Sequence, residues 1–217
     1  MNKNIVKYSL PFLLIMLLNF VASAQETEVN TQIRTSLELS YKPVKKLKLS
    51  LKPELRYDEN MTVDEYLMEA EIAYKLWKFI SVGGTYRFVG NVRDNKDTEY
   101  LNRFALNTTF KKKIDRFSTS FRLQYTDFAD DEESDKEYLR YKASLKYDIR
   151  NVKITPIVAV EAFQTLDGGG LHKMRYTFGF DYKLFKKNFI GISYKLDDFN
   201  SEEKVRHILS FGYKLGF

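Results

Sequence analysis

The chain has 217 residues, a formal net charge of +6 and no cysteine. This length suits a single domain, and the lack of cysteine excludes a disulfide scaffold and a cysteine-based metal site. The basic residues are spread along the chain and form no patch, which argues against nucleic acid as a partner. The composition includes 17 Phe and 15 Tyr but only 4 Pro, and this favours β-strands.

The first 24 residues have the features of a secretory signal peptide. Two early lysines precede an apolar core over residues 10–21, and the small residues Ala22, Ser23 and Ala24 form a cleavage site. The apolar core is too short to cross a bilayer as a helix. We therefore predict cleavage before Gln25, export from the cytoplasm, and a mature β-barrel domain over residues 25–217.

Eleven segments follow, and in each of them apolar and polar residues alternate. A period of two is typical of a strand with one apolar face, and about ten residues let a tilted strand cross a bilayer. In the last segment, Val205, Leu209 and Phe211 alternate with Arg206 and Ser210. The segments are 31–41, 47–57, 66–76, 79–88, 100–110, 117–128, 136–147, 152–163, 172–183, 189–196 and 204–217.

The connections between the segments alternate in length and in charge. Short and mostly basic turns, such as 43–46 and 111–116, alternate with longer acidic loops, such as 58–65 and 127–135. Outer-membrane barrels have short periplasmic turns and longer extracellular loops. We therefore predict a transmembrane antiparallel up-and-down β-barrel of 10–12 strands, all-β, in the outer membrane of a Gram-negative bacterium, surrounded by lipid and lipopolysaccharide.

The odd number of segments conflicts with the even strand numbers of single-chain bacterial barrels. Residues 25–31 add a short first strand in one solution, which gives twelve strands. In a second solution two neighbouring segments are wrongly divided, which gives ten. In a third, the first and last strands pair in parallel. We favour twelve, or ten, over the parallel closure.

The polar face of each strand is predicted to line the lumen. It mixes long charged side chains with small ones, as in Ser118, Ser120 and Arg122, and a crowded interior needs this mixture. A cation turned to lipid at mid-depth would cost about 2–4 kcal/mol. The alternative, a soluble ligand-carrying barrel, would place the apolar face inside. The predicted lumen-lining residues are Arg34, Lys48, Lys52, Glu54, Arg56, Glu69, Glu71, Arg87, Arg103, Arg122, Arg140, Lys142, Lys146 and Glu161.

Aromatic residues gather at both ends of the segments and predict two interfacial belts. Ordinary packing within a strand is the alternative explanation for any single ring. The belt at the short turns comprises Tyr41, Trp77, Phe79, Phe110, Phe117, Tyr147, Phe185 and Phe217. The belt at the long loops comprises Tyr57, Tyr66, Phe88, Tyr100, Phe128, Tyr138 and Phe163.

The C-terminal strand ends on a phenylalanine, and Phe211, Tyr213, Leu215 and Phe217 share its apolar face. Such an ending is typical of the closing strand of an outer-membrane barrel. We predict that these four residues are the assembly signal and that the barrel-assembly machinery is a partner.

Three stretches carry a resemblance to a known family. They are Tyr41-Lys42-Pro43-Val44-Lys45-Lys46-Leu47, Pro53-Glu54-Leu55-Arg56-Tyr57 and Phe211-Gly212-Tyr213-Lys214-Leu215-Gly216-Phe217. In these, the chain resembles an uncharacterised family of small outer-membrane β-barrels from Bacteroidota, known only as a domain of unknown function. The resemblance spans the mature chain and implies a location and a fold. It implies no functional residues, because no activity is attached to the family.

The lumen is the main functional feature that the sequence predicts. Cations outnumber carboxylates in the predicted lining, and a ring of one sign concentrates ions of the other sign. We predict a narrow porin-like channel whose partner is a small anionic or acidic solute. The alternative is a barrel plugged by its own charges, with a structural or interaction role carried by its acidic extracellular loops.

A more distant hypothesis is an outer-membrane hydrolase. His207 and Ser210 lie on opposite faces of one strand, which excludes a Ser-His pair. His172 follows a run of three glycines, where an aspartate could orient it for activating water. The aspartates in question are Asp167, Asp197 and Asp198. The simpler interpretation is a solvated rim histidine. We predict no catalytic residue, cofactor or metal site, and the acidic run 127–135 lacks the spacing of a calcium loop.

Overall fold

The computed structural model describes residues 28–93, 97–127, 136–200 and 204–217. The predicted signal peptide, Phe128 and the acidic residues 130–135 lie outside the described residues. No helix in the described part of the chain is long and apolar enough to span a membrane.

Eleven strands in these ranges form one closed barrel. They are β1 (Glu28–Val44), β2 (Leu47–Tyr57), β3 (Val63–Lys75), β4 (Ile80–Asn91), β5 (Glu99–Ile114), β6 (Phe117–Thr126), β7 (Tyr138–Tyr147), β8 (Ile154–Thr165), β9 (Leu171–Phe185), β10 (Asn188–Phe199) and β11 (Lys204–Gly216). Consecutive strands pair antiparallel, and each corresponds to one segment predicted from the alternation. The predicted all-β barrel is confirmed.

The barrel closes through a parallel pairing of β1 with β11. The parallel register runs from Glu28 opposite Lys204 to Ser40 opposite Gly216. Our preference for twelve or ten strands is therefore wrong, because residues 28–31 are the start of β1 and form no separate strand. Parallel pairing satisfies the backbone donors and acceptors of both terminal strands, so an odd number of strands leaves no open edge.

The two ends of the barrel differ in their connections. Only Lys45 and Lys46 separate β1 from β2, and only Lys186 and Lys187 separate β9 from β10. Lys187 has a φ of 66°, as a tight hairpin turn requires. We call this end the turn end and the opposite one, with longer connections such as residues 166–170, the loop end. The first strand starts at the loop end, and the last strand finishes at the turn end.

The outer wall of the barrel is apolar. On β2, Leu49, Leu51 and Leu55 are 38–41% exposed, whereas Glu54 between two of them is 6% exposed. The same alternation continues around the barrel. Exposed leucines and buried carboxylates contradict the soluble arrangement with an apolar interior, and they agree with a wall that faces acyl chains.

The predicted aromatic belts agree with the structure at the turn end and only partly at the loop end. Trp77 and Phe185 at the turn end are 62% and 71% exposed. At the loop end, Tyr138 and Phe163 are completely buried inside the barrel. For these two rings the belt prediction is wrong. On β7, Tyr138 lies two residues before the buried Arg140, and side chains two residues apart point to the same face of a strand. The Tyr138 ring therefore points inward, as the Arg140 side chain does.

Candidate functional site in the barrel lumen

The lumen has two levels of different character. Toward the loop end most inward side chains are buried, whereas toward the turn end they are partly exposed and separated by small residues. We call the first level the ionic layer and define it as Arg34, Glu54, Arg56, Glu65, Glu69, Arg87, Arg103, Arg140, Glu161, Lys173, Arg175 and Asp197. We call the second level the lysine chamber and define it as Glu38, Lys48, Lys52, Glu71, Lys111, Arg122, Lys142, Lys146, Asp181, Lys195 and Lys214.

Asp197 is the centre of a buried cluster in the ionic layer. Arg175 donates two hydrogen bonds to it, from Nε to Oδ1 at 2.5 Å and from Nη2 to Oδ2 at 2.6 Å. Lys173 Nζ lies 3.3 Å from Oδ2, and both residues have no exposed surface. The Lys173 ammonium also lies 4.9 Å from the ring centres of Phe163 and Phe199. The carboxylate and the two aromatic faces therefore replace the water that would otherwise solvate this ammonium.

Two glutamates each hold several further cations. Glu161 on β8 accepts hydrogen bonds from two cations of β7, Arg140 Nε at 3.0 Å and Lys142 Nζ at 3.2 Å. Glu54 accepts a hydrogen bond from Arg56 Nε at 3.1 Å. A buried charge is tolerated only when it is paired and hydrogen-bonded. These pairs between neighbouring positions explain how the barrel buries so many charges at one level.

Buried apolar side chains accompany the charges of the ionic layer toward the loop end. Val89, Tyr138 and Phe163 have no exposed surface, and Phe199 is 2% exposed. On its own strand each lies two residues toward the loop end from an inward charged residue of the layer, and Phe163 and Phe199 stand opposite Lys173 in the sheet register. Paired charges and apolar rings therefore leave little exposed side-chain surface inside the lumen at this level.

The lysine chamber opens toward the turn end. Lys146 and Lys214 are 43% and 38% exposed, and both contact Asp181, at 3.1 and 2.6 Å. Lys48 pairs with Glu38 at 3.0 Å. The chamber contains more cations than carboxylates, so its field is positive and attracts anions.

The residues predicted to line the lumen are divided between the two levels. Arg34, Glu54, Arg56, Glu69, Arg87, Arg103, Arg140 and Glu161 belong to the ionic layer, and Lys48, Lys52, Glu71, Arg122, Lys142 and Lys146 belong to the lysine chamber. The predicted lumen residues did not include Glu65, Lys111, Lys173, Arg175, Lys195 and Asp197. For β9 the signal was present, because Lys173 and Arg175 share the inward parity of Asp181.

His172, the candidate for a hydrolytic site, lies at a bulge of β9. The register with β8 shifts there, from Lys173 opposite Phe163 to Leu171 opposite Gln164. The His172 ring packs against two aromatic rings, 5.3 Å from that of Tyr138 and 5.6 Å from that of Phe199. The second histidine is on the outer wall, where His207 Nδ1 lies 2.6 Å from the Tyr194 hydroxyl.

The aspartates considered for His172 have other roles. Asp167 accepts a hydrogen bond from the backbone N–H of Gly169 at 3.0 Å, and this bond lowers the pKa of the Asp167 carboxyl. Asp197 is the centre of the buried cluster, and Asp198 is exposed. The arrangement is that of a rim histidine packed among aromatic rings. No group of three metal-binding side chains lies together in the described ranges.

A closed sheet with an exposed apolar wall and a charged lumen defines a porin-like β-barrel. The chain belongs to the family described as "Protein of unknown function (DUF2490)", whose model matches residues 31–207. This match confirms the predicted membership of a family of unknown function.

The fold is also similar to that of a solved porin. The structure described as "KdgM porin in complex with disordered oligogalacturonate" matches with a TM-score of 0.51 and 11% identity. The match covers 77% of this chain and 90% of that chain. At this identity the similarity shows the fold alone. A search of curated proteins finds no match to the chain.

Proposed function

We propose that the chain is an integral outer-membrane barrel whose lumen is a narrow channel favouring small anions. The exposed apolar wall and the similarity to a porin support the membrane location. The observation that carries the channel proposal is the excess of cations in the lysine chamber. Such a chamber raises the local concentration of anions and repels cations.

The ionic layer is the constriction of this channel. It contains cations and carboxylates in close pairs, whereas the chamber below it is positive and partly exposed. The chamber therefore sets the selectivity, and the layer limits the conductance. The solved porin of similar fold is described with oligogalacturonate, an acidic saccharide. The positive lysine chamber of this chain suits acidic solutes.

A second candidate function is a plugged barrel that acts through its loops. The complete burial of Lys173, Asp197, Tyr138 and Phe163 favours it, because a level without exposed side chains conducts nothing unless it rearranges. In this role the barrel is a scaffold for the connections at the loop end, and the buried charges serve only to fill the lumen.

Planar-bilayer recording of the refolded protein separates the two candidates. A narrow anion channel gives small conductance steps. In a salt gradient, its reversal potential has the sign expected when anions are more permeant than cations. The variant Lys111→Gln removes a cation of the chamber and should shift this potential toward zero. Its matched control, Lys78→Gln, changes an exposed lysine at the turn end and should leave the potential unchanged. Absence of steps above background, or cation selectivity, contradicts the channel and favours the plugged barrel.

A further inference from the structure

A recess lies in the wall of the lysine chamber, directly below the ionic layer. Four adjacent strands, β9, β10, β11 and β1, place small residues on its floor, between charged side chains above and below them. These residues are Gly179, Gly191, Ser193, Ser210, Gly212 and Ser36. The recess has a volume of about 270 Å³. A water molecule takes about 30 Å³ in the liquid, so the recess has room for a small organic molecule.

Lys195 lines this recess and pairs with no carboxylate of the described residues. Lys214 is matched by Asp181 at 2.6 Å, and Lys52 is matched by Glu54 at 2.5 Å. By contrast, no carboxylate of the described residues lies within 4.0 Å of Lys195 Nζ. Of the three lysines that line the recess, Lys195 is therefore the one without a carboxylate within 4.0 Å among the described residues.

The charges around Lys195 make an anion favourable at this position. Arg34, Lys52 and Lys214 line the same recess as Lys195, so its ammonium lies among other cations. A cation held among other cations is destabilised, and a bound anion relieves the repulsion. One uncompensated ammonium calls for one negative charge on the ligand.

The floor of the recess offers hydroxyl groups to the rest of such a ligand. The Ser210 Oγ is buried and has no hydrogen-bond partner within the described residues. In the sheet register it stands between Ser193 of β10 and Arg34 of β1. A buried hydroxyl without a partner costs free energy, and a ligand oxygen would satisfy it.

We propose that this recess binds a small hydroxylated monocarboxylate of monosaccharide size. The ligand carboxylate pairs with Lys195, and its hydroxyl groups bond to Ser193, Ser210 and the Asp181 carboxylate at the lower edge. This inference rests on the proposed function, since it names the class of anion that the lumen takes.

Isothermal titration of the purified barrel in detergent with D-gluconate tests the site. Sorbitol has a similar size and hydroxyl pattern without the charge, and acetate has the charge without the hydroxyls. Gluconate should bind at least about tenfold more tightly than either, because sorbitol lacks the charge-assisted hydrogen bond and acetate lacks the hydrogen bonds of the hydroxyl groups. Lys195→Met should lose about the same factor. Its control, Lys78→Met, removes an exposed cation outside the recess and should change gluconate affinity less than about twofold.

Ser210→Ala distinguishes a binding role from a structural one. Because Ser210 Oγ bonds to no described residue, its removal should leave the stability of the ligand-free barrel unchanged or raise it. The same variant should weaken gluconate binding by about three- to tenfold, since a neutral hydrogen bond is lost. Lower stability with unchanged affinity would show that the hydroxyl is structural and would overturn its assignment.

Three further results overturn the inference. They are equal affinity for gluconate and sorbitol, equal losses in Lys195→Met and Lys78→Met, and tighter binding of inorganic phosphate than of gluconate. Failure here is separable from failure of the channel. Anion-selective conductance without gluconate binding rejects the recess and leaves the channel. Gluconate binding without conductance rejects the channel and leaves the recess.

Discussion

Asp197→Asn is the substitution that tests most directly whether water is excluded from the charges of the ionic layer. The amide keeps the volume of the side chain, so no cavity forms, while the negative charge is lost and one acceptor oxygen becomes an NH2 donor. Two cations, Lys173 and Arg175, then stay buried without the carboxylate that now lies 3.3 and 2.5 Å from them. The Phe163 and Phe199 rings beside Lys173 cannot replace a full negative charge.

The expected loss follows from the burial of this cluster. Breaking a buried ion pair by removing one partner typically destabilises a protein by about 3–5 kcal/mol, because the remaining charge is left uncompensated. Lys173 and Asp197 have no exposed surface, and Arg175 is 4% exposed, so the upper part of this range applies. The same chemical change in the chamber has a much smaller effect. Glu38 pairs with Lys48 at 3.0 Å, and their side chains are 30% and 35% exposed. Glu38→Gln should therefore cost only about 0–1 kcal/mol.

Urea unfolding of the barrel from lipid vesicles measures both variants. Trp77 is the single tryptophan and is 62% exposed on the outer wall at the turn end, so its fluorescence reports release from the lipid interface. Heat-modifiable migration on a gel gives an independent measure of the folded fraction. Equal destabilisation of the two variants, or a loss below about 1 kcal/mol for Asp197→Asn, would refute a dry ionic layer.

The remaining predictions concern topology and assembly. The native chain has no cysteine, so a membrane-impermeant maleimide should label Asn60→Cys and Glu28→Cys at the loop end on intact cells, and Lys186→Cys at the turn end only after lysis. Labelling of the Lys186 variant on intact cells would contradict this orientation. Deletion of Phe217 removes an exposed ring and the backbone bond from its N–H to the Ser40 carbonyl at 2.9 Å. Most of the heat-modifiable band should be lost, and Phe217→Tyr should keep it; normal migration of the deletion variant argues against an assembly signal.

The residues that face outward on the barrel wall could be predicted from the sequence. Leu49, Leu51 and Leu55 alternate with charged or small residues in the chain, and the same leucines are exposed in the fold while Glu54 is buried. The reason is local, because side chains of a strand alternate between two faces whatever its partners are. The same rule would have found Lys173, Arg175 and Asp197.

The depth of individual lumen residues, and with it their role, could not be predicted from the alternation. Alternation assigns Lys48 and Arg56 to the same inward face of β2, yet one is partly exposed in the chamber and the other is buried in the layer. Their depth depends on which residues of other strands stand at the same height. That height follows from the pairing register and the tilt of the strands, which no single segment encodes.

The sequence by itself determined that this chain is built from two-faced strands with an apolar side and an ionic side, because that property repeats within each strand. Only the tertiary structure decided that the strands number eleven, that the first and last of them pair in parallel, and that the lumen is divided into a buried layer and a partly exposed chamber. These features arise from contacts between residues far apart in the chain, such as Glu28 with Lys204 and Lys146 with Asp181, whose meeting depends on the closure of the whole barrel.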